Sequence, residues 1–415
     1  MIGEALDLRL EREVERPVAV ALSGGSDSTA LLLLAARWAR ANGRRLLALT
    51  VDHRLNPDSM GWTAHAGELA QRLGVDWRGL AWSGPKPETG LPAAARRARH
   101  ALLAEATRAA GAHVILMGHT ADDVAESALI RRDTPSHGRL ETWSPSPVWP
   151  EGRGLFLLRP LLGARRAELR AVLTAEGLDW LEDPANADPR FARTRARAAL
   201  LSGDEAAASC NAARNGNAEA VEVHADAAGR VRLPRTAAPE LIAKALLCVS
   251  GRERPPAGEA VRRLAARLQV GERFRAALGG ARLLAEDDTL AVVRDAGERA
   301  RGGLQAMPAP VGQRVVFDGR FEIEAEVDGL EVAALAGLAS RLSPADAARL
   351  KAVSAAARPA LPALVDVAGK VSLPAPLGSG AGRATALAPR RLAAACGRIR
   401  NEAEAVRDAI FWTRA

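Results

Sequence analysis

Short apolar runs alternate with amphipathic stretches through the first half of the chain. The apolar runs predict strands over 17–22, 46–51, 75–82 and 113–117. The amphipathic stretches predict helices over 28–41, 60–73, 91–110 and 121–130. Repeated strand–helix units of this length indicate an α/β fold, a Rossmann-like parallel sheet with helices on both faces. Since ligands bind such sheets at the carboxyl ends of the strands, we expect the chemistry in the loops that follow them.

The second half of the chain predicts smaller units. Residues 132–154 are rich in Pro, Ser and Gly and predict a loop or lid, which a strand over 155–158 and helices over 165–176 and 191–201 follow. Polar or Pro/Gly-rich breaks stand at 211–217 and 301–312. We therefore expect a catalytic domain over 1–210, a mostly helical domain over 218–300 and a small α+β domain over 310–415.

Composition narrows the class of protein. The 415 residues are 48% hydrophobic and 26% charged, and the longest apolar run stops at Arg37, which predicts a chain without a membrane span. No secretory signal is visible, and three widely separated cysteines favour the reducing cytoplasm. A net charge of +8 favours a polyanionic partner such as nucleic acid. Only four of the 57 basic residues are lysines, however, so a general arginine bias makes each single arginine less informative.

A serine- and glycine-rich loop follows the first predicted strand and opens the first long helix. Paired glycines let backbone N–H groups converge on an anion, and the helix N-terminus adds partial positive charge. The acidic residue in the loop repels anions by itself, which points to a bridging Mg²⁺. The loop lacks the ending of a P-loop kinase and the spacing of a dinucleotide site. The simpler alternative is a tight turn with serine caps. The predicted phosphate-binding residues are Ser23, Gly24, Gly25, Ser26, Asp27 and Ser28.

A second polar cluster follows the fourth predicted strand. Asp123 and Glu126 are three residues apart and share one face at the start of a helix, with His119 just before it. Asp122 lies off that face and is a candidate N-terminal cap. Such a group suits metal binding, orientation of an amine or proton transfer. The alternative is that the acids only stabilise the helix dipole.

The two motifs together resemble the N-type ATP-pyrophosphatase (PP-loop) family. Further segments at 50–59, 95–100, 158–162 and 180–197 are similar to its tRNA(Ile)-lysidine synthetase branch. That resemblance implies two steps on isoleucine tRNA with a CAU anticodon. ATP adenylylates the C2 oxygen of the wobble cytidine and releases pyrophosphate, and the ε-amine of L-lysine then displaces AMP to give lysidine.

The resemblance also implies roles for single residues. Asp27 would hold Mg²⁺, and Arg96 would contact phosphate or the activated intermediate. Asp123 and Glu126 would receive the lysine ammonium or accept its proton, with His119 nearby. A basic helix would contact tRNA phosphates, although an exposed arginine–alanine face explains it equally well. Its candidate residues are Arg193, Arg195 and Arg197.

The match departs from the family at 131–140. The family has a glycine-rich stretch there, whereas this chain carries Pro135 and lacks those glycines, and His100 stands where the family has tyrosine. A non-catalytic paralogue that binds tRNA therefore stays open. So does another adenylylating PP-loop enzyme, although tRNA thiolation needs cysteines near ATP and the first 209 residues contain none. The sequence permits a homodimer without predicting one.

Overall fold

The computed structural model describes residues 2–133, 140–146, 154–182, 192–201, 224–253, 255–299 and 302–407. The chain forms two compact units, Met1–Asn217 with Ile399–Ala415, and Ala218–Arg398. The linker expected at 211–217 lies outside the described residues, as do 134–139 of the atypical stretch and 183–191 of the family resemblance.

The first unit is built on a six-stranded sheet in the order β3-β2-β1-β4-β6-β5. Five strands are parallel, and β5 pairs with β6 in the antiparallel sense. The strands are β1 (Val18–Ala21), β2 (Leu46–Asp52), β3 (Asp76–Ala81), β4 (Val114–Leu116), β5 (Trp143–Pro145) and β6 (Phe156–Leu158). Strand β5 lies inside the stretch predicted as a loop, so that prediction was wrong there. Its three residues include a proline and are too few to show an alternating pattern.

Helices cover both faces of this sheet. Successive residues of β1 alternate between two apolar cores: Val18 and Val20 pack with the helices over 26–41, 59–72 and 166–175, whereas Ala19 packs with the helix over 91–109. The α/β fold class is therefore confirmed. The helices of this unit are α1 (Gly3–Asp7), α2 (Ser26–Ala41), α3 (Ser59–Arg72), α4 (Leu91–Ala109), α5 (Ala121–Asp133), α6 (Arg166–Ala175) and α7 (Ala192–Leu201).

The second unit contains more sheet than the sequence predicted. Over 218–300 a five-stranded antiparallel sheet packs with two helices, so the expectation of a mostly helical domain was wrong. Strands such as Phe274–Leu278 contain no β-branched residue, so the usual strand signal is absent there. The elements are β7 (His224–Ala225), β8 (Val231–Pro234), α8 (Pro239–Ser250), α9 (Gly258–Gln269), β9 (Phe274–Leu278), β10 (Ala281–Ala285) and β11 (Thr289–Arg294).

The rest of this unit has its own apolar core and two four-stranded sheets. Its strands are β12 (Met307–Pro308), β13 (Arg314–Phe317), β14 (Phe321–Ala325), β15 (Glu331–Ala334), β16 (Pro362–Val365), β17 (Val371–Ser372), β18 (Pro374–Ala375) and β19 (Gly380–Ala386). Helix α10 (Pro344–Leu350) and single 3₁₀ turns at Ala339–Arg341 and Arg358–Ala360 lie in this part, whereas α11 (Ala388–Ala395) packs in the core of the five-stranded sheet. This part contains both strands and helices, and the domain bounds expected from the sequence stay a prediction.

The end of the chain belongs to the first unit rather than to that C-terminal domain. Glu402 is fully buried, and its two carboxylate oxygens accept hydrogen bonds from Arg44 at 3.0 and 2.8 Å. The backbone N–H of Glu402 donates to the carbonyl oxygen of Arg9 at 2.8 Å. The contact joins residues 358 positions apart, which no local pattern could predict. Among the described residues, no helix is both long and apolar enough to cross a membrane.

Candidate functional site

The phosphate-loop candidates lie between β1 and the first turn of α2. The helix begins at Ser26, two residues earlier than predicted, so its free N–H groups open into the loop itself. Ser28 is buried, and its hydroxyl accepts the N–H of Ser23 at 3.2 Å and donates to the carbonyl oxygen of Gly25 at 3.0 Å. This serine therefore holds the shape of the loop, while the helix N-terminus supplies the anion-binding N–H groups.

Gly24 has two separate reasons to be glycine. Its φ of +86° lies in the left-handed region, and a Cβ there would lie 2.8 Å from Cδ1 of Leu181. The carbonyl oxygen of Gly24 also accepts the backbone N–H of Leu181 at 2.9 Å. The segment after α6 therefore packs directly against the loop, a contact that the sequence did not predict.

Asp27 is paired with an arginine that sequence reasoning missed. Nε of Arg166, the first residue of α6, donates to Oδ2 of Asp27 at 2.9 Å. Burial raises the pKa of the Asp27 carboxyl, Arg166 opposes that rise, and the nearby Asp123 adds to it. Asp27 thus has a cation beside it within the chain itself. Helix α6 follows a strand end at the same edge of the sheet, which indicates the region but does not single out Arg166 among its arginines.

The carboxylates of α5 lie close to the same arginine. Glu126 is 1% exposed, and its Oε1 lies 3.6 Å from NH1 of Arg166. Within the described structure its second oxygen, Oε2, has no hydrogen-bond partner. Asp123 Oδ2 lies 3.8 Å from NH2 of Arg166 and accepts the backbone N–H of Thr120 at 2.9 Å. The guanidinium of Arg166 is therefore shared by one carboxylate of the phosphate loop, Asp27, and by two carboxylates of α5, Asp123 and Glu126.

The helix-capping role falls to different residues from those predicted. Thr120 and Asp123 form the capping pair of α5, since each side chain accepts the other's backbone N–H, at 3.4 and 2.9 Å. Asp122 instead accepts the backbone N–H of Arg166 at 2.8 Å, so it caps α6 rather than its own helix. This contact fixes the start of α6 beside α5.

Two of the three arginines predicted to bind tRNA point at these carboxylates. NH1 of Arg193 lies 3.3 Å from Oδ1 of Asp123, and Nε of Arg197 donates to Oε1 of Glu126 at 2.9 Å. Their spacing of four residues places both on one face of α7. Arg195 lies on another face and is exposed. The structure thus brings Arg193 and Arg197 into the acidic cluster and leaves Arg195 at the surface.

His119 is held neutral by its surroundings. Burial and then the charge of Arg159 lower its pKa to about 2, with smaller contributions from Arg193, Arg99 and Arg96. Nε of Arg159 donates to Nδ1 of His119 at 3.1 Å, so the ring proton is on Nε2. His119 therefore serves as a hydrogen-bond donor at neutral pH and is a poor proton acceptor.

Arg96 is exposed on α4, and its positive charge contributes to the low pKa of His119. Burial, then Arg96 and Arg193, lower the pKa of Arg99 to about 10. Burial and Arg96 lower the pKa of Arg159 to about 10 as well. A concentration of positive charge next to the carboxylate cluster suits a phosphate-bearing substrate.

Comparison with known proteins finds a family model, relatives and solved structures that are similar to this chain. The PP-loop domain family model matches residues 4–203. The tRNA(Ile)-lysidine synthase of Caulobacter vibrioides is 48% identical over 407 residues, 97% of this chain and 98% of that relative. The same enzyme of Hyphomonas neptunium is 40% identical over 304 residues, 68% of this chain and 82% of that relative. Among solved structures, the U34-tRNA thiolase NcsA of Methanococcus maripaludis aligns with a TM-score of 0.42 and 17% identity, over 50% of this chain and 75% of that one.

Proposed function

Because this chain belongs to the tRNA(Ile)-lysidine synthase family, we propose that it is the ATP-dependent ligase that joins L-lysine to an isoleucine tRNA. ATP binds at the loop of Ser23 to Ser28 and adenylylates the C2 oxygen of the wobble cytidine in the CAU anticodon, with release of pyrophosphate. The ε-amine of lysine then attacks C2 and displaces AMP, which yields lysidine.

The observation that carries the proposal is the orphaned oxygen of Glu126. A buried carboxylate oxygen without a partner costs about 1–3 kcal/mol, which an N–H group of a bound ammonium recovers. Asp123 lies on the same helix face and supplies a second acceptor for that ammonium. The amine must lose a proton before it attacks, and a carboxylate beside it accepts this proton. Since His119 is a poor proton acceptor, we assign the general base to Glu126.

Asp27 fits a Mg²⁺ ligand shared with ATP. The described residues hold no group of three or more His, Cys, Asp or Glu side chains suited to a metal ion. Magnesium in nucleotide sites needs only one or two carboxylates together with substrate phosphates. The Asp27 carboxylate also keeps acceptor positions besides those used by Ser26 at 3.3 Å and by Arg166. The ion would neutralise phosphate charge during adenylyl transfer.

The proposed tRNA contacts follow from the different faces of α7 on which its three arginines lie. We assign phosphate contact to Arg195, since it is exposed, and to Arg96 beside the activated cytidine. In the free protein, Arg193 and Arg197 neutralise the carboxylates of Asp123 and Glu126, which are proposed to bind the lysine ammonium. A cytoplasmic location stays a prediction, and the sequence only permits a homodimer.

The test is transfer of labelled L-lysine to isoleucine tRNA with ATP. We expect Glu126→Gln to raise the KM for lysine about 10- to 100-fold, because a charged hydrogen bond contributes about 1.5–3 kcal/mol. The variant should also lower kcat, because the amide cannot accept the proton of the amine. ATP binding should change little. Glu105→Gln, the same substitution at an exposed position of α4, is the matched control and should behave as the unaltered protein. Tight tRNA binding without any label in RNA would refute the ligase and support a non-catalytic paralogue.

A further inference from the structure

Arg166 lies between the acid of the phosphate loop and both acids of α5. Its guanidinium nitrogens are 2.9 Å from Asp27 Oδ2, 3.8 Å from Asp123 Oδ2 and 3.6 Å from Glu126 Oε1. The side chain is 18% exposed, so solvent screens these interactions only in part. One cation is therefore shared by the carboxylates of two different substrate sites.

The attachment of Arg166 to the fold does not depend on its side chain. Its backbone N–H donates to Asp122 at 2.8 Å, and it is the first residue of α6. The guanidinium can therefore change partners while the helix stays in place. A side-chain substitution at this position leaves the cap of α6 intact.

The ion pairs of this cluster involve equal numbers of arginines and acids. Three arginines (Arg166, Arg193 and Arg197) face three acids (Asp27, Asp123 and Glu126). An ammonium group adds positive charge and ATP phosphates add negative charge, so the two substrates change the local charge in opposite directions. Arg193 and Arg197 pair with the α5 acids, whereas Arg166 reaches both sites.

We propose that Arg166 is a positioning residue that couples the binding of ATP to the binding of lysine. The inference rests on the proposed function. A lysine ammonium beside Glu126 repels Arg166 towards Asp27 and the nucleotide phosphates. Phosphates that attract Arg166 in turn remove one of the cations beside Asp123 and Glu126, which then hold the ammonium more tightly. Linkage requires the two effects to be equal in size.

Calorimetric titration of the full chain tests the coupling without turnover. The probes are L-lysine and an ATP analogue with a methylene bridge between the α and β phosphorus atoms, each alone and in the presence of the other. We expect each ligand to tighten the other on the order of tenfold. In Arg166→Gln, the analogue should bind on the order of tenfold more weakly and lysine alone more tightly, with coupling near unity. These opposite signs distinguish positioning from a merely structural role, which weakens both ligands together.

Two further variants sharpen the test. Arg166→Lys keeps the charge and should recover part of the analogue affinity and part of the coupling. Arg165→Gln makes the same change at the exposed neighbouring residue and should leave all constants unchanged. Parallel weakening of both ligands in Arg166→Gln, or full coupling in that variant, would overturn the inference while the proposed function stands. Failure of the unaltered protein to bind lysine would overturn both.

Discussion

Glu402 joins the end of the chain to the catalytic unit, and its substitution should destabilise that unit. The side chain is fully buried and accepts two hydrogen bonds from Arg44, whose own side chain is fully buried as well. Glu402 also accepts the backbone N–H of Glu11 at 2.9 Å and Nε of Arg16 at 3.2 Å. Glu402→Gln removes the negative charge and keeps the volume, so it leaves a buried guanidinium without its counter-charge.

The size of the effect follows from that geometry. Removal of one partner of a buried ion pair costs about 3–5 kcal/mol. The amide keeps one acceptor oxygen, and Arg44 keeps the carbonyl oxygens of Glu11 and Arg16, so we expect the lower end, about 3 kcal/mol. In a unit of this size each kcal/mol shifts the melting temperature by about 2–4 °C. The expected shift is therefore about 6–12 °C.

Scanning calorimetry resolves the effect if the two units melt separately. The ATP analogue raises the melting temperature of the unit that binds it, and this identifies the transition to follow. Glu404→Gln, two residues away and less buried, is the matched control. The double variant Arg44→Met/Glu402→Leu should recover most of the stability, because replacement of both charges by apolar groups is close to neutral. A shift in Glu402→Gln no larger than in the control would refute the reasoning.

Two further predictions concern the catalytic unit. Gly24→Ala should weaken binding of the ATP analogue at least about tenfold, because of the positive φ and the contact with Leu181, whereas Gly61→Ala meets no atom within 4 Å and should not. Burial lowers the pKa of His100 to about 3 and that of His119 to about 2. Below about pH 6.5 the two histidines are therefore protonated in the unfolded chain but stay neutral in the folded chain. As the pH drops below that value, the free energy of unfolding should fall by about 1.4 kcal/mol per pH unit for each histidine. Urea denaturation between pH 7 and 5 checks this, and a pH-independent free energy would contradict it.

Regular periodicity made the catalytic fold predictable. Apolar runs and amphipathic helices gave the strands and helices of the parallel sheet to within a few residues, and both polar motifs stand at strand ends of one edge. Asp27, Asp123 and Glu126 do lie close together, as that placement indicates. The grouping required only that the carboxyl ends of neighbouring parallel strands meet.

Long-range electrostatics was not predictable in the same way. Arg166 and Glu402 have ordinary local surroundings in the sequence, and a chain rich in arginine gives no reason to choose one arginine over another. Their roles come from partners 139 and 358 positions away. The sequence predicted a hairpin over 281–293 and short strands at 315–317 and 321–327, whereas Phe274–Leu278 was missed because it contains no β-branched residue.

Analysis of the reacted tRNA tests the central claim most directly. Isoleucine tRNA with a CAU anticodon is incubated with the protein, ATP and L-lysine, digested to nucleosides and examined by mass spectrometry. The account predicts that the wobble cytidine gains lysine, with AMP and pyrophosphate formed in amounts equal to the lysidine. Release of ADP and phosphate instead, or unmodified cytidine despite bound ATP and lysine, would contradict it.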